Sequence, residues 1–276
     1  MDTQDVKGKR VLVSGSGTGL GRGVALEFSK AGADVALHYS HSAAGAEAAV
    51  EEITKAGGKA KAFQADFSKV EEVQKLGKDA VEFLGGIDIL VNNAGITFNR
   101  EFEKVTQEQY DRVYSVNIKG MFFLSQSVVP AMQKQGKGVI VNISSNHAFT
   151  GYRDHAVYAG TKGAIVAFTR TLSTELAPMG IRVCCLAPGW IRVENQEKVL
   201  GDNFDWEKGG QVLPAGFAAT PSDLGKLVIA LATEPGKYIF GETLVADGGE
   251  LAIMPLTGSF KDPVDEKYGQ GYVPGL

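Results

Sequence analysis

The chain alternates short apolar runs with longer stretches in which apolar residues recur every three to four positions. The short runs are 10–15 (RVLVSG), 34–39 (DVALHY), 59–66 (KAKAFQAD), 87–95 (IDILVNNAG), 138–145 (GVIVNISS), 181–189 (IRVCCLAPG) and 242–249 (ETLVADGG). Several are apolar almost throughout, the pattern of parallel strands covered on both faces. Helical patterns fill the gaps at about 21–32, 43–58, 69–84, 106–135, 155–177 and 222–233. Thr106 and Gln109 have capping-box spacing, and Ser222 is placed to cap the last helix. Pro130 predicts a kink near the end of the 106–135 helix. Strands separated by helices imply right-handed crossovers. The expected fold class is therefore α/β, with residues 1–276 as one doubly wound parallel sheet carrying helices on both faces. The loop-rich stretch 190–220 reads as a lid, and 255–276 as an irregular tail whose Phe260, Tyr268 and Tyr272 are free to pack on a neighbouring subunit.

Composition narrows the functions. A chain of 276 residues with 44% hydrophobic and 22% charged residues has the make-up of an ordinary globular protein. Its formal net charge of −4, with no run of like charges, makes no electrostatic case for nucleic acid or an anionic membrane. The first ten residues are polar, so no signal peptide is expected, and no apolar stretch approaches the ~20 residues of a membrane span. Cys184 and Cys185 are adjacent in an apolar strand and so point to opposite faces. That excludes a disulfide framework and suggests a reducing compartment, read as the cytoplasm. His38, His41, His147 and His155 stand at no metal-ligand spacing from cysteines or carboxylates, and no metal site is expected.

The turn after the first strand carries Gly15, Gly17, Gly19 and Gly21, spaced by Ser16, Thr18 and Leu20. Glycines there let backbone amides approach a pyrophosphate, and the following helix adds the partial positive charge of its N-terminus. The spacing is G-x-x-x-G-x-G rather than G-x-G-x-x-G. In a doubly wound sheet, ligands bind beyond the carboxyl ends of the strands. One crevice should then be lined from Gly15, Tyr39, Asp66, Asn92, Ser145 and Pro188. Tyr158 and Lys162 lie four apart on a helix and share a face. A free tyrosine, titrating near ~10, is a poor proton catalyst at neutral pH, and a neighbouring ammonium stabilises the phenolate. Ser145 is placed to donate to a substrate oxygen on the same rim. Asn117 sits mid-helix, where asparagine is a poor former.

These motifs, in this order, resemble the short-chain dehydrogenase/reductase family over about residues 8–252. They are SGSGTGLG (14–21), NNAG (92–95), Asn117 in VNIKG, Ser145 in NISS, YAGTK (158–162) and PG (188–189). The resemblance implies a Rossmann-type sheet and a hydride transfer between a nicotinamide cofactor and a carbonyl or secondary alcohol. It implies a catalytic tetrad of Asn117, Ser145, Tyr158 and Lys162. Tyr158 would be the acid–base, Ser145 would position the reacting oxygen, Lys162 would also hold the nicotinamide ribose, and Asn117 would support a proton relay. Ser14 and the glycine turn would hold the pyrophosphate, and Asp66, with Phe67 beside it, the adenine. Asn93, Ala94 and Gly95 would line the cofactor, and Pro188, Gly189 and Ile191 would close its nicotinamide end. The family's first motif residue is often Thr, and here it is Ser14. Val193 stands where a threonine is common.

Between Leu37 and Ala44 there is no carboxylate to bind the ribose diol of NAD. Tyr39 takes that place, and Ser40, His41 and Ser42 offer donors to a 2′-phosphate, although no arginine or lysine is present there or at Thr18. NADP is the expected cofactor, with NAD as the alternative. His147, Arg153, His155 and Trp190 are the expected substrate residues. The pattern is closest in look to sugar and polyol dehydrogenases and 3-oxoacyl reductases, and a homotetramer or homodimer built on the 106–135 and 155–177 helices is implied. Two other readings share the glycine turn: a non-catalytic dinucleotide-binding sensor, and an isomerase or lyase with tightly bound NAD. The intact proton-transfer set weighs against the first, and stoichiometric consumption of cofactor separates the second.

Overall fold

The computed structural model describes residues 6–201 and 203–253; the tail expected at 255–276, with Phe260, Tyr268 and Tyr272, lies outside them. Seven strands form one parallel sheet: β1 (Arg10–Val13), β2 (Asp34–Tyr39), β3 (Ala60–Gln64), β4 (Ile89–Asn92), β5 (Gly138–Ile143), β6 (Ile181–Pro188) and β7 (Thr243–Ala246). Their order is β3-β2-β1-β4-β5-β6-β7. The chain runs outward from β1 in one direction and then, after β3, in the other. The β1–β4 boundary is therefore the switch point at which a crevice opens beyond the strand ends.

The helices are α1 (Gly19–Lys30), α2 (Ala43–Lys55), α3 (Val70–Leu84), α4 (Gln107–Tyr114), α5 (Met121–Gln135), α6 (Ala156–Leu176), α7 (Glu194–Leu200), α8 (Trp206–Gly210) and α9 (Pro221–Ala232). Strand alternation sorts the core into two layers. Val11, Val13, Ile89, Val91, Cys184 and Leu186 pack with Val24, Phe28, Ile53 and Val228 on the side of α1, α2 and α9. Leu12, Leu90, Ile140 and Val183 pack with Val73, Leu76, Leu124 and Leu176 on the side of α3, α5 and α6. Each such leucine or isoleucine, fully buried, contributes roughly 1.5–3 kcal/mol. Cys184 belongs to the first layer, while Cys185 packs with Met121 and Ile165 on the opposite face; both are free thiols. No helix among the described residues is long and apolar enough to cross a membrane.

Three expectations change. The 106–135 helix is two helices joined by a π-helical segment, Ser115–Gly120, and α5 then runs through Pro130 to Gln135. The capping box at Thr106 and Gln109 forms as expected. The last helix is capped by Thr220, not Ser222: Thr220 Oγ1 accepts from the Asp223 amide, and Asp223 Oδ2 accepts from the Thr220 amide at 2.9 Å. The reason is Pro221, whose fixed φ and missing N–H suit the first helical position and so place the cap one residue earlier. Ser222 instead donates to Glu27 Oε1 at 3.0 Å, tying α9 to α1. Finally, the loop-rich stretch 190–220 carries two short helices, α7 and α8, of seven and five residues.

Candidate active site

The glycine turn is built by contacts from beneath. Ser14 is buried; its Oγ accepts from the amides of Asn93 and Ala94, both at 3.0 Å, so it ties β1 to β4 rather than facing the crevice. The Asn93 side chain donates to the carbonyls of Ser14 and Gly15 at 3.0 and 3.1 Å. Gly15 has φ +65°, and a Cβ there would lie 2.8 Å from Ala94 Cα. A Cβ at Gly21 would lie 2.2 Å from the Gly15 carbonyl oxygen. Only glycine lets loop, helix and strand end come this close. The Gly15 amide donates to Nδ1 of His38 at 2.9 Å, and the other ring nitrogen of His38 bonds the Ala65 carbonyl at 3.0 Å. That pairing fixes the neutral tautomer with its proton on Nε2. Burial pushes the His38 pKa down to about 4.

Two adjoining clefts run along this rim and share Gly15, Thr18, Gly95 and Ile96. The first, of about 280 Å³, is lined by Gly19, Leu20, Gly21, Asn93, Ser145, Tyr158, Lys162, Pro188, Gly189 and Ile191. The second, of about 250 Å³, is lined by Gly17, Tyr39, Ser40, His41, Asp66, Phe67 and Ala94. Apart from Ser14, the structure thus gathers the residues expected to hold the cofactor along one crevice. Two joined clefts that meet at the glycine turn, beside the N-terminus of α1, suit the two halves of a dinucleotide.

Lys162 is buried, 5% exposed, and its Nζ donates to the Ile143 carbonyl at 3.1 Å while standing 5.5 Å from the centre of the Tyr158 ring. Asn117, 1% exposed, sits in the π-helical segment. Its Oδ1 accepts from the Ile96 amide at 2.8 Å, and its Nδ2 donates to the Ile96 carbonyl and to Thr161 Oγ1 at 3.0 and 3.1 Å. The Asn117 side chain therefore clamps the loop after β4 to α6, one residue from Lys162. Ser145 Oγ accepts from the His147 amide at 3.3 Å and lies 3.2 Å from Asn146 Oδ1.

Of the expected substrate residues, His147 and His155 stack on each other at 5.1 Å and meet the Tyr158 ring edge-on at 5.7 and 6.2 Å. Burial, and then the neighbouring His155, lower the His147 pKa. Its Nδ1 is buried and has no partner among the described residues. The Arg153 side chain is 89% exposed and lines, with His155 and Arg100, a cleft outside the one formed by the glycine turn. Trp190 packs against Phe204 and Trp206.

Three residues not expected from the sequence belong to the site. His38 is the first. Arg112 lines the second cleft, where it binds Asp66 Oδ1 at 3.2 Å and Ser68 Oγ at 2.6 Å. Glu194, at the start of α7, accepts from the Gly19 amide at 2.9 Å. This places the α7 carboxylate on the first free N–H of α1, where the helix end favours negative charge. A lone histidine inside the otherwise apolar run DVALHY was a usable signal for His38; nothing local marks the other two.

The model of the short chain dehydrogenase family matches residues 9–203. A 3-oxoacyl-[acyl-carrier-protein] reductase of Staphylococcus epidermidis is 36% identical over 241 residues, covering 87% of this chain and 98% of its own. A tetrahydroxynaphthalene reductase of Pestalotiopsis fici is 35% identical over 253 residues, covering 88% and 91%. The structure of a short chain dehydrogenase from Burkholderia cenocepacia in complex with NADP superposes with a TM-score of 0.81 at 30% identity, covering 88% and 98%. Sheet order, glycine turn and sequence agree: the chain belongs to the short-chain dehydrogenase/reductase family and is an NAD(P)-dependent oxidoreductase acting on carbonyl and alcohol groups.

Proposed function

We propose that this protein reduces a carbonyl, or oxidises the matching secondary alcohol, with Tyr158 as general acid–base. The observation that carries the reading is that Tyr158, Lys162 and Ser145 line the same cleft as the glycine turn. The nicotinamide supplies or takes the hydride. In the reducing direction, the Tyr158 hydroxyl gives its proton to the substrate oxygen as charge develops there. The buried Lys162 ammonium, held by the Ile143 carbonyl, stabilises the phenolate left behind. Ser145 positions the reacting oxygen. Asn117 acts by fixing α6 and the Ile96 loop around Lys162.

NADP is the cofactor we favour. Tyr39, Ser40, His41 and Ser42 at the end of β2 present hydroxyl and imidazole donors and no carboxylate. The bound NADP of the Burkholderia structure supports the same reading. On the substrate side, the unpartnered His147 Nδ1 and the stacked His155 beside Tyr158 favour a hydroxylated, sugar- or polyol-like compound over an acyl chain. A homo-oligomer is supported by the exposed apolar face of α5 and α6, where Phe122, Val129, Phe168 and Leu172 line a groove of about 480 Å³. Cytoplasmic residence accords with the two free thiols.

The test is a panel of hydroxylated ketones, aldehydes and 3-oxoacyl thioesters, followed at the nicotinamide absorbance with NADPH and NADH. Stoichiometric NADPH oxidation by a hydroxylated carbonyl is the expected result. A protein that turns over substrate without net cofactor consumption would sink the proposal. A second prediction concerns Glu194. Its carboxylate sits on the amide that the pyrophosphate needs, so like charge opposes cofactor entry. Glu194→Gln is expected to lower the Kd for NADPH about three- to tenfold, a change of roughly 1 kcal/mol for one screened charge pair. Calorimetric titration checks it, and unchanged or weaker binding refutes it.

A further inference from the structure

Ser145 leads out of the cleft along a chain of side chains that ends 105 positions away in sequence, at Glu250. The chain starts at β7. Beyond Ala246, the Asp247 carboxylate accepts from the amides of Gly249 and Leu251 at 2.9 and 2.8 Å. Gly248 and Gly249, at φ +67° and +86°, reverse the backbone, a course open to glycine at little cost. The turn delivers Glu250 to the end of β5, where its Oε2 accepts from Asn146 Nδ2 at 2.8 Å. Asn146 is 5% exposed, and its Oδ1 faces Ser145 Oγ at 3.2 Å.

An amide has one donating and one accepting end, whereas a carboxylate only accepts. Glu250 therefore dictates which end of Asn146 turns towards Ser145. With the NH₂ group committed to Glu250, only the carbonyl oxygen is left for the serine hydroxyl. Ser145 then donates to Asn146 and accepts from the His147 amide, so both its rotamer and the direction of its hydrogen are set. The bond to Asn146 is long. Its hydrogen can swing to a substrate oxygen at small cost and return afterwards. Without Glu250 the Asn146 amide is free to turn over, presenting a second donor to Ser145 and removing its acceptor.

We propose that Asn146 and Glu250 are positioning residues that orient the Ser145 hydroxyl for the reaction. The proposal rests on the reading of Ser145 as the residue that positions the reacting oxygen. It is tested by steady-state kinetics with NADPH and a carbonyl compound that the wild type reduces. Glu250→Ala and Asn146→Ala are each expected to lower kcat about tenfold, with the KM for NADPH nearly unchanged. Glu250→Gln keeps an accepting oxygen for Asn146 Nδ2 and is expected to retain most of the rate. In a Ser145→Ala background, Glu250→Ala should cost nothing further, because the hydroxyl it orients is gone. An equal loss in both backgrounds, or a Glu250→Gln variant as slow as Glu250→Ala, overturns the proposal and leaves the role of Ser145 standing. Ser145→Ala turning over at the wild-type rate overturns the role of Ser145 itself, and this assignment with it.

Discussion

Replacing Tyr158 with phenylalanine is expected to lower kcat by about 10²–10⁴ while NADPH still binds, the loss typical of removing a general acid–base. That corresponds to roughly 3–5 kcal/mol of transition-state stabilisation. The variant is specific because the ring stays. Phenylalanine retains the edge contacts to His147 and His155 and leaves Lys162 bonded to the Ile143 carbonyl. Only the hydroxyl that carries the proton goes. The residual rate should respond little to adding Ser145→Ala, since groups that act as a unit are non-additive. Stopped-flow measurement of hydride transfer with pre-bound NADPH separates chemistry from binding. Turnover within about tenfold of the wild type would show that another group moves the proton.

The parts of this site that were legible in the sequence are those made by neighbours along the chain. Gly15 and Gly19 mark the turn because their left-handed conformations are local demands, and Gly21 because it lies against the Gly15 carbonyl six residues back. Tyr158 and Lys162 share a face because a helix places them so. Cys184 and Cys185 fall into opposite core layers because strand side chains alternate. What was illegible depends on distant contacts. The Glu194 carboxylate meets the Gly19 amide across 175 residues, and Arg112 meets Asp66 across 46. The short helices α7 and α8 carry too few residues for an apolar period to show. Nothing local in the sequence shows that the Arg153 side chain is exposed or that Trp190 joins an aromatic cluster with Phe204 and Trp206.

His38 makes the second large effect, on stability. In the unfolded chain its imidazole titrates near the ordinary value of about 6.5. In the folded protein burial holds it neutral down to about pH 4, because a charged ring would be desolvated and its Nδ1 could no longer accept from Gly15. Above about pH 6.5 both states are neutral and the full stability is present. As pH falls from about 6.5 to about 4, the unfolded state binds a proton that the folded state refuses. Stability should drop by up to about 1.4 kcal/mol per pH unit and by roughly 3 kcal/mol in all, levelling near pH 4 for this group. Urea denaturation between pH 7 and pH 4.5 reads the slope. His38→Gln should be flatter across that window, and an identical slope in the variant would assign the loss to other groups.

The widened turn at Ser115–Gly120 gives the Asn117 clamp an unusual sensitivity to chain length. A π-helical turn accommodates an additional residue that an α-helix would not. Deleting one residue from this segment would restore a regular ladder with α4 and α5 still in line, but it would turn the Asn117 side chain off its bonds to Ile96 and Thr161. Replacements at the half-buried Ser115 and the exposed Lys119 should therefore be tolerated far better than insertions or deletions. A library that varies length would find here a register lock on the contacts that join the loop after β4 to α6.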